Sequence, residues 1–337
     1  MKKFLNILLA VVMATIAAVS LVGCTDDNNG NVRPQGLVVN KNKDTGIYTV
    51  VSYNGKAQTL DLGEMLEEKG YSSDSEFKIK KGAFKDNATI KTLIIPDSVV
   101  EIQSGAFEKM IALEELQVPF VGKTVNADAF ENQSAPAEDK SVNSDRTLAH
   151  FFGTEKFKNS ISITVAGTQC YVPGGFTKIT VKATKHFEDP NQVKPEYYSI
   201  PYNAFSGATN LKSVVLDGDK LGAIGENAFS GCTYLSSITI PATVKVIYKN
   251  AFANCTKLAE VILADGVSEL EIKEGAFKGC VKMDKFDSAT EKNVNLSKVS
   301  VSGDGALDFG REVTYIVTGK IGDFTKAFGE TKFAIPQ

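Results

Sequence analysis

The chain has 337 residues, 43% of them hydrophobic and 23% charged, with a formal net charge of −3. That is a globular composition, long enough for a large core, and it excludes a nucleic-acid surface, which needs a basic stripe. There is no tryptophan and there are only two histidines, so Tyr and Phe supply the aromatics.

Residues 1–23 read as a signal peptide. Lys2 and Lys3 give a positive start, Phe4 to Val19 is an apolar run broken only by Asn6 and Thr15, and Leu21-Val22-Gly23-Cys24 ends it. Such a leader is removed and plays no part in the fold. The four-residue ending resembles the lipobox of bacterial lipoproteins, which implies that the Cys24 thiol is acylated and becomes the new N-terminus. An uncleaved anchor or a plain secretory signal is the alternative. Residues 24–36 have almost no apolar content and predict a flexible tether, reaching ~40 Å fully extended or roughly 19 Å as a coil. The acidic pair Asp26-Asp27 is similar to the surface-export signal of Bacteroidota lipoproteins; in other bacteria an Asp there points to a different membrane.

Residues 37–76 lack any repeat. Gly46–Tyr53 has strand composition, Asn54-Gly55 predicts a hairpin turn, Lys56–Leu62 returns, and Glu64–Lys69 is a short helix ending before Gly70. A stack of repeats has an open apolar end, and this segment reads as the N-terminal cap that closes it. An independent binding module is the other reading, with a thin core.

From residue 77 to about 289 one phrase recurs: a branched aliphatic, three residues, then Ala-Phe. It stands at Ile79…Phe84, Ile102…Phe107, Val125…Phe130, Ile200…Phe205, Ile224…Phe229, Ile247…Phe252 and Ile272…Phe277, with Phe spacings of 23, 23, 75, 24, 23 and 25. A fixed period of this size marks a repeat architecture. Apolar residues follow at plus six (Ile90, Leu113, Leu211, Leu235, Leu258, Met283), plus nine (Leu93, Leu116, Val214, Ile238, Val261, Phe286) and plus eleven (Ile95, Val118, Leu216, Ile240, Leu263). Positions nine and eleven share the period of a strand face. Positions minus five, zero and six suit a turn and a short helix folding back over that strand. One unit cannot bury its own apolar side. Stacking lets each strand pair with the next at ~4.8 Å and lines the Phe side chains into one spine.

The run from Ile224 to Pro241 resembles the BspA-like (treponemal-type) class of bacterial leucine-rich repeats, and the likeness extends over about 77–289. The resemblance implies an α/β right-handed solenoid, with a parallel β-sheet on one face and short helices or turns opposite. It also implies a surface protein that binds other macromolecules.

Between Phe130 and Phe205 only Phe176-Thr-Lys-Ile179-Thr-Val181 fits plus six, nine and eleven. One rung split by insertions at about 131–172 and 183–199 follows. The first opens on the polar Glu131–Asp145, read as a mobile loop, and holds Leu148–Gly153 and the alternating Ser160–Val165. Similar long repeats occur in the resembled class, so the gap reads either as structural elaboration or as a functional loop.

Two rows point away from the core. Plus eight supplies Thr92, Glu115, Ser213, Ser237 and Glu260; plus ten supplies Ile94, Gln117, Val215, Thr239 and Ile262. Solenoids bind on such faces, and the mix of β-branched and polar groups suits a protein or a glycan, although strand propensity alone also explains Ile94, Val215 and Ile262. Cys232, Cys255 and Cys280 stand three residues after a Phe, where other rungs hold Asn87, Met110, Gln133 and Ala208. They therefore read as ladder positions and not metal ligands. Buried free thiols lead, and a disulfide between neighbouring rungs, with Cys170 as a further partner, stays open. His150 and His186 read as solvated loop residues. No catalytic or phosphate-binding motif occurs, and a turn explains Asp217-Gly-Asp219 more cheaply than calcium does. No enzyme activity, cofactor or metal is expected.

Beyond residue 290 the phrase fades. Val294–Val301 and Glu312–Thr318 look like strands, Phe324…Phe333-Ala-Ile335-Pro336 keeps the plus-nine, plus-eleven and plus-twelve offsets as a degenerate final rung would, and 290–337 reads as a C-terminal cap. The expected function is that of a lipid-anchored protein on the outer surface of the outer membrane, contacting an extracellular protein or glycan and no nucleic acid. Other readings are a glycan-binding lipoprotein accessory to nutrient uptake, a structural surface component and, last, a hydrolase with carboxylates converging around the insertion.

Overall fold

The computed structural model describes residues 36–124, 144–184, 197–267 and 270–283, and beyond them the segments 285–287, 294–295, 299–301, 305–309, 313–316 and 333–334. The leader, Cys24, the tether as far as Gln35, Val125…Phe130, Gln133 and His186 lie outside the described residues.

Each rung has two short strands joined by a tight turn that carries Ala-Phe. The strands holding plus nine run in chain order through one parallel sheet: Thr59–Asp61, Thr92–Ile94, Glu115–Val118, Lys178–Lys182 and Ser213–Asp217. A second sheet continues with Ser237–Ile240, Glu260–Leu263, Lys285–Asp287, Val294–Asn295, Val313–Ile316 and Phe333–Ala334. Pairing is in register, so Leu93, Leu116, Ile179 and Val214 lie side by side, as do Ile238, Val261 and Phe286. Lys178–Lys182 thus supplies the split rung expected from its fragment of the repeat.

The minus-five aliphatics, expected in a turn, sit in strands of their own. Tyr48–Tyr53, Phe77–Ile79 and Val99–Ile102 pair in parallel, and so do Tyr198–Ile200, Leu221–Ile224, Val246–Ile247, Leu270–Ile272 and Val299–Val301. Of the helices or turns expected opposite the first sheet, turns are what form. Leu62–Glu68 is the one α-helix among the described residues, its first turn capped by the Asp61 carboxylate.

The turn explains the repeated phrase. Residues two before and two after the Phe are left-handed: Gly82 and Asp86, Gly105 and Lys109, Asn203 and Gly207, Asn227 and Gly231, Asn250 and Asn254, Gly275 and Gly279, with φ from 54° to 80°. Gly and Asn enter that region at least cost, which accounts for their recurrence. Between them, Phe84, Phe205, Phe229 and Phe252 donate their backbone N–H to Ala106, Ala228, Ala251 and Ala276 of the next rung at 2.7–3.0 Å. These alanines are buried, and with rungs stacked ~4.8 Å apart little more than a methyl group fits there.

The Phe side chains form the expected column. Phe205, Phe229, Phe252 and Phe277 stack with centroids 5.0, 5.0 and 5.1 Å apart and planes within 13°. In the first half the rings tilt: Phe84 to Phe107 is 5.8 Å at 57°. Phe107 neighbours Phe151, at 5.5 Å, and Phe107 N–H donates to the Phe151 carbonyl. The 3-10 turn Leu148–Phe151, placed at first in an insertion, therefore fills a rung, and Leu148 N–H passes the ladder on to Ala204.

Both ends continue the stack. Tyr53 occupies the column below Phe84, at 5.9 Å, and its N–H donates to the Ala83 carbonyl. The segment expected as a cap thus holds one rung position, at Tyr53. Asn54-Gly55 is not the hairpin turn; the antiparallel hairpin joins Leu37–Lys41 to Tyr48–Tyr53. Gly55 is needed because the Tyr53 ring folds against it, where a Cβ would stand 2.3 Å from the hydroxyl oxygen. At the other end Phe277 N–H donates to Ala306, placing Ala306-Leu307 where Ala-Phe would stand. The expected strand Val294–Val301 divides into Val294–Asn295 and Val299–Val301, one for each sheet.

Candidate functional site

The alternation read from the sequence sets the face. Leu93, Leu116, Val214, Ile238 and Val261 are buried, and the residues between them are not. Val215, Ser237 and Thr239 are exposed; Thr92, Ile94, Glu115, Gln117, Ser213, Glu260 and Ile262 are half-buried. Strand pairing brings them into two rows. One runs Thr59, Thr92, Glu115, Lys178, Ser213; the other runs Asp61, Ile94, Gln117, Thr180, Val215. In the second sheet Ser237 lies beside Glu260 and Thr239 beside Ile262. Thr59, Asp61, Lys178 and Thr180 were missed. The last two follow from placing the 176–181 fragment in frame, whereas Thr59 and Asp61 carry no repeat signal.

The face is polar without strong charge. Lys178 Nζ meets Glu115 Oε2 at 2.9 Å. Lys78–Glu101, Lys85–Glu108 and Lys91–Glu114 join equivalent positions of successive rungs at 2.9, 3.2 and 3.0 Å. Opposite charges side by side favour this register, and each exposed pair contributes only ~0–1 kcal/mol.

Cys170, Cys232, Cys255 and Cys280 are free and buried, so no disulfide joins the rungs. The thiols of Cys232, Cys255 and Cys280 donate to the carbonyls of Phe205, Phe229 and Phe252, each at 3.1 Å. Burial pushes the Cys232 and Cys280 thiols well up and Cys170 to about 12, so they lack the thiolate that nucleophilic or metal chemistry needs. His150, expected in solvent, is buried in the rung turn. Its Nε2 donates to the Ile102 carbonyl at 2.8 Å, and Nδ1 stands 3.3 Å from the Asp145 carboxylate. Asp217-Gly-Asp219 is a turn with Gly218 at φ 99°. Among the described residues no group of three or more His, Cys, Asp or Glu could hold a metal ion, and no described helix is long and apolar enough to cross a membrane.

In-register parallel strands, a core of stacked Phe and a row-patterned outer face define a leucine-rich-repeat solenoid. Six copies of the BspA type leucine-rich repeat region match residues 77–183 and 177–298, and the chain belongs to that family. Such repeats are generally protein-interaction modules. Solved structures that resemble the chain include a leucine-rich repeat protein of T. pallidum, 17% identical over 81% of this chain and 86% of that one, with a TM-score of 0.36. A leucine-rich repeat protein from Bacteroides ovatus is also 17% identical, over 85% and 71%, with a TM-score of 0.30. A leucine rich cell surface protein from Faecalibacterium prausnitzii is 15% identical over 82% and 97%, with a TM-score of 0.23. No curated protein matches the chain.

Proposed function

We propose that this protein is a non-enzymatic adhesion module, anchored through a lipid on Cys24 and displayed on the outer surface of the outer membrane. There the two outward rows contact an extracellular protein. The observation that carries this reading is the register of those rows. Thr, Ile, Gln, Val and Glu side chains from rung after rung line up in register within each of the two sheets, giving rows of mixed polarity on a regular backbone support. Interfaces of this kind need apolar anchors ringed by polar groups, and Ile94, Val215 and Ile262 supply the anchors. The leader with its Leu-Val-Gly-Cys ending and the polar stretch after it support the anchor.

The test has two arms. The chain lacking residues 1–23 is probed against an array of extracellular matrix proteins; saturable binding to one or more is expected, and no binding to any contradicts the reading. Cys24→Ala in the full chain should move the protein from the membrane fraction to the soluble one, and unchanged retention would rule out lipidation as the tether.

A further inference from the structure

We propose that a saccharide unit binds in a depression at one edge of the outward face, among Asp61, Asp97, Gln117 and Lys182. The site shares Ile94 and Gln117 with the face described above, so it rests on that face being the side that meets ligands.

The depression arises from the split rung. After Glu115–Val118 the chain dives inward, and Pro119 and Phe120 are buried. The rungs on either side run on, to Pro96 and Asp97 on one flank and to Lys182 and Thr184 on the other. Thr184 Oγ1 donates to Asp97 Oδ2 at 2.9 Å across the gap, closing the far rim. What remains is a depression of about 220 Å³, below the ~300–1,000 Å³ of sites for drug-sized molecules. It has room for about one ring.

Its lining selects the chemistry. Ile94 and Pro96, both half-buried, give an apolar patch on which the C–H face of a ring can rest. Around it, Asp61 and Asp97 accept hydrogen bonds, Lys182 donates, and Gln117 and Thr184 do both. A sugar hydroxyl donates and accepts at once, so neighbouring hydroxyls need donors and acceptors side by side. Two carboxylates against one ammonium give no positive excess to hold a phosphate, and Lys182 in the same rim opposes an Arg or Lys side chain. Asp61 uses Oδ1 to cap the helix, accepting from Gly63 and Glu64 N–H at 2.8 and 3.2 Å. That holds the carboxylate in place before any ligand arrives.

The test is calorimetric titration of the chain lacking residues 1–23 with neutral mono- and disaccharides, and with arginine amide and inorganic phosphate as separate arms. Gln117→Ala and Lys182→Met remove polar groups without touching the Thr184–Asp97 contact. At least one neutral saccharide should bind saturably, and each variant should weaken it tenfold or more at unchanged melting temperature. Thr239→Glu, far along the stack, should leave it intact, so a failure of the protein-contact reading and a failure of this one are read separately. No saturable binding of any neutral saccharide, binding that neither variant weakens, or a preference for arginine amide or phosphate overturns the proposal.

Discussion

Phe252 touches Phe229 on one side and Phe277 on the other, at 5.0 and 5.1 Å with nearly parallel planes. Phe252→Ala removes both ring contacts and leaves a cavity lined by its neighbours. The expected loss is ~3–5 kcal/mol, read from urea unfolding; a loss below ~1 kcal/mol would mean the column is not the core. Asn254, at φ 59°, tests the turn. Asn254→Ala should cost ~1–2 kcal/mol, the steric penalty of a Cβ in the left-handed region, while Asn254→Gly should be close to neutral. Cys170 sets a pH dependence. Its thiol is pushed up to about 12 by burial, whereas an unfolded thiol titrates near ~8.5. The native state therefore holds the proton more tightly, and stability falls as pH rises between those two values. Cys170→Ala should make that decline in melting temperature shallower, the raised Cys232 and Cys280 thiols supplying the rest, and an unchanged slope would contradict the assignment.

Short strands two to six residues long cannot fix their own register, and charge pairs between rungs help to do so. Lys78 and Glu101 are cross-strand neighbours, and Glu101→Lys places like charges together. A cost of ~0.2–1 kcal/mol is expected, recovered in the Lys78→Glu, Glu101→Lys double variant. A double-mutant cycle reads that recovery; strictly additive effects would contradict it. The same elements show what could be read in advance. The strands with plus nine and plus eleven were legible because period two shows in five residues. The back strands were not, since one aliphatic every rung leaves no period to find. The Asn54-Gly55 pair misled because its Gly serves the Tyr53 ring and not a reversal of the chain. Tyr53 and Ala306-Leu307 hold rung positions without the Ala-Phe phrase, so neither showed as part of the repeat.

Across the whole molecule, stability is a sum of rungs and the contacts between them, and the proposed function is a property of what those rungs line up. The two outward rows were legible as soon as the period was known, and the structure adds Lys178 and Thr180 by restoring the split rung. The depression beside them was not legible. Asp61, Asp97, Lys182 and Thr184 come from three rungs, and they meet where Pro119 and Phe120 turn inward after Val118. Leu148–Phe151 was hidden for a related reason: its Phe reaches the column from a 3-10 turn without the repeat's spacing. The account's central claim is that the outward rows make the contact. The most direct measurement is binding of the chain lacking residues 1–23, and of its Thr239→Glu, Ile262→Glu variant, to immobilised extracellular matrix proteins. The account predicts saturable binding that the variant loses by tenfold or more while its melting temperature holds. Equal binding by both chains would contradict it.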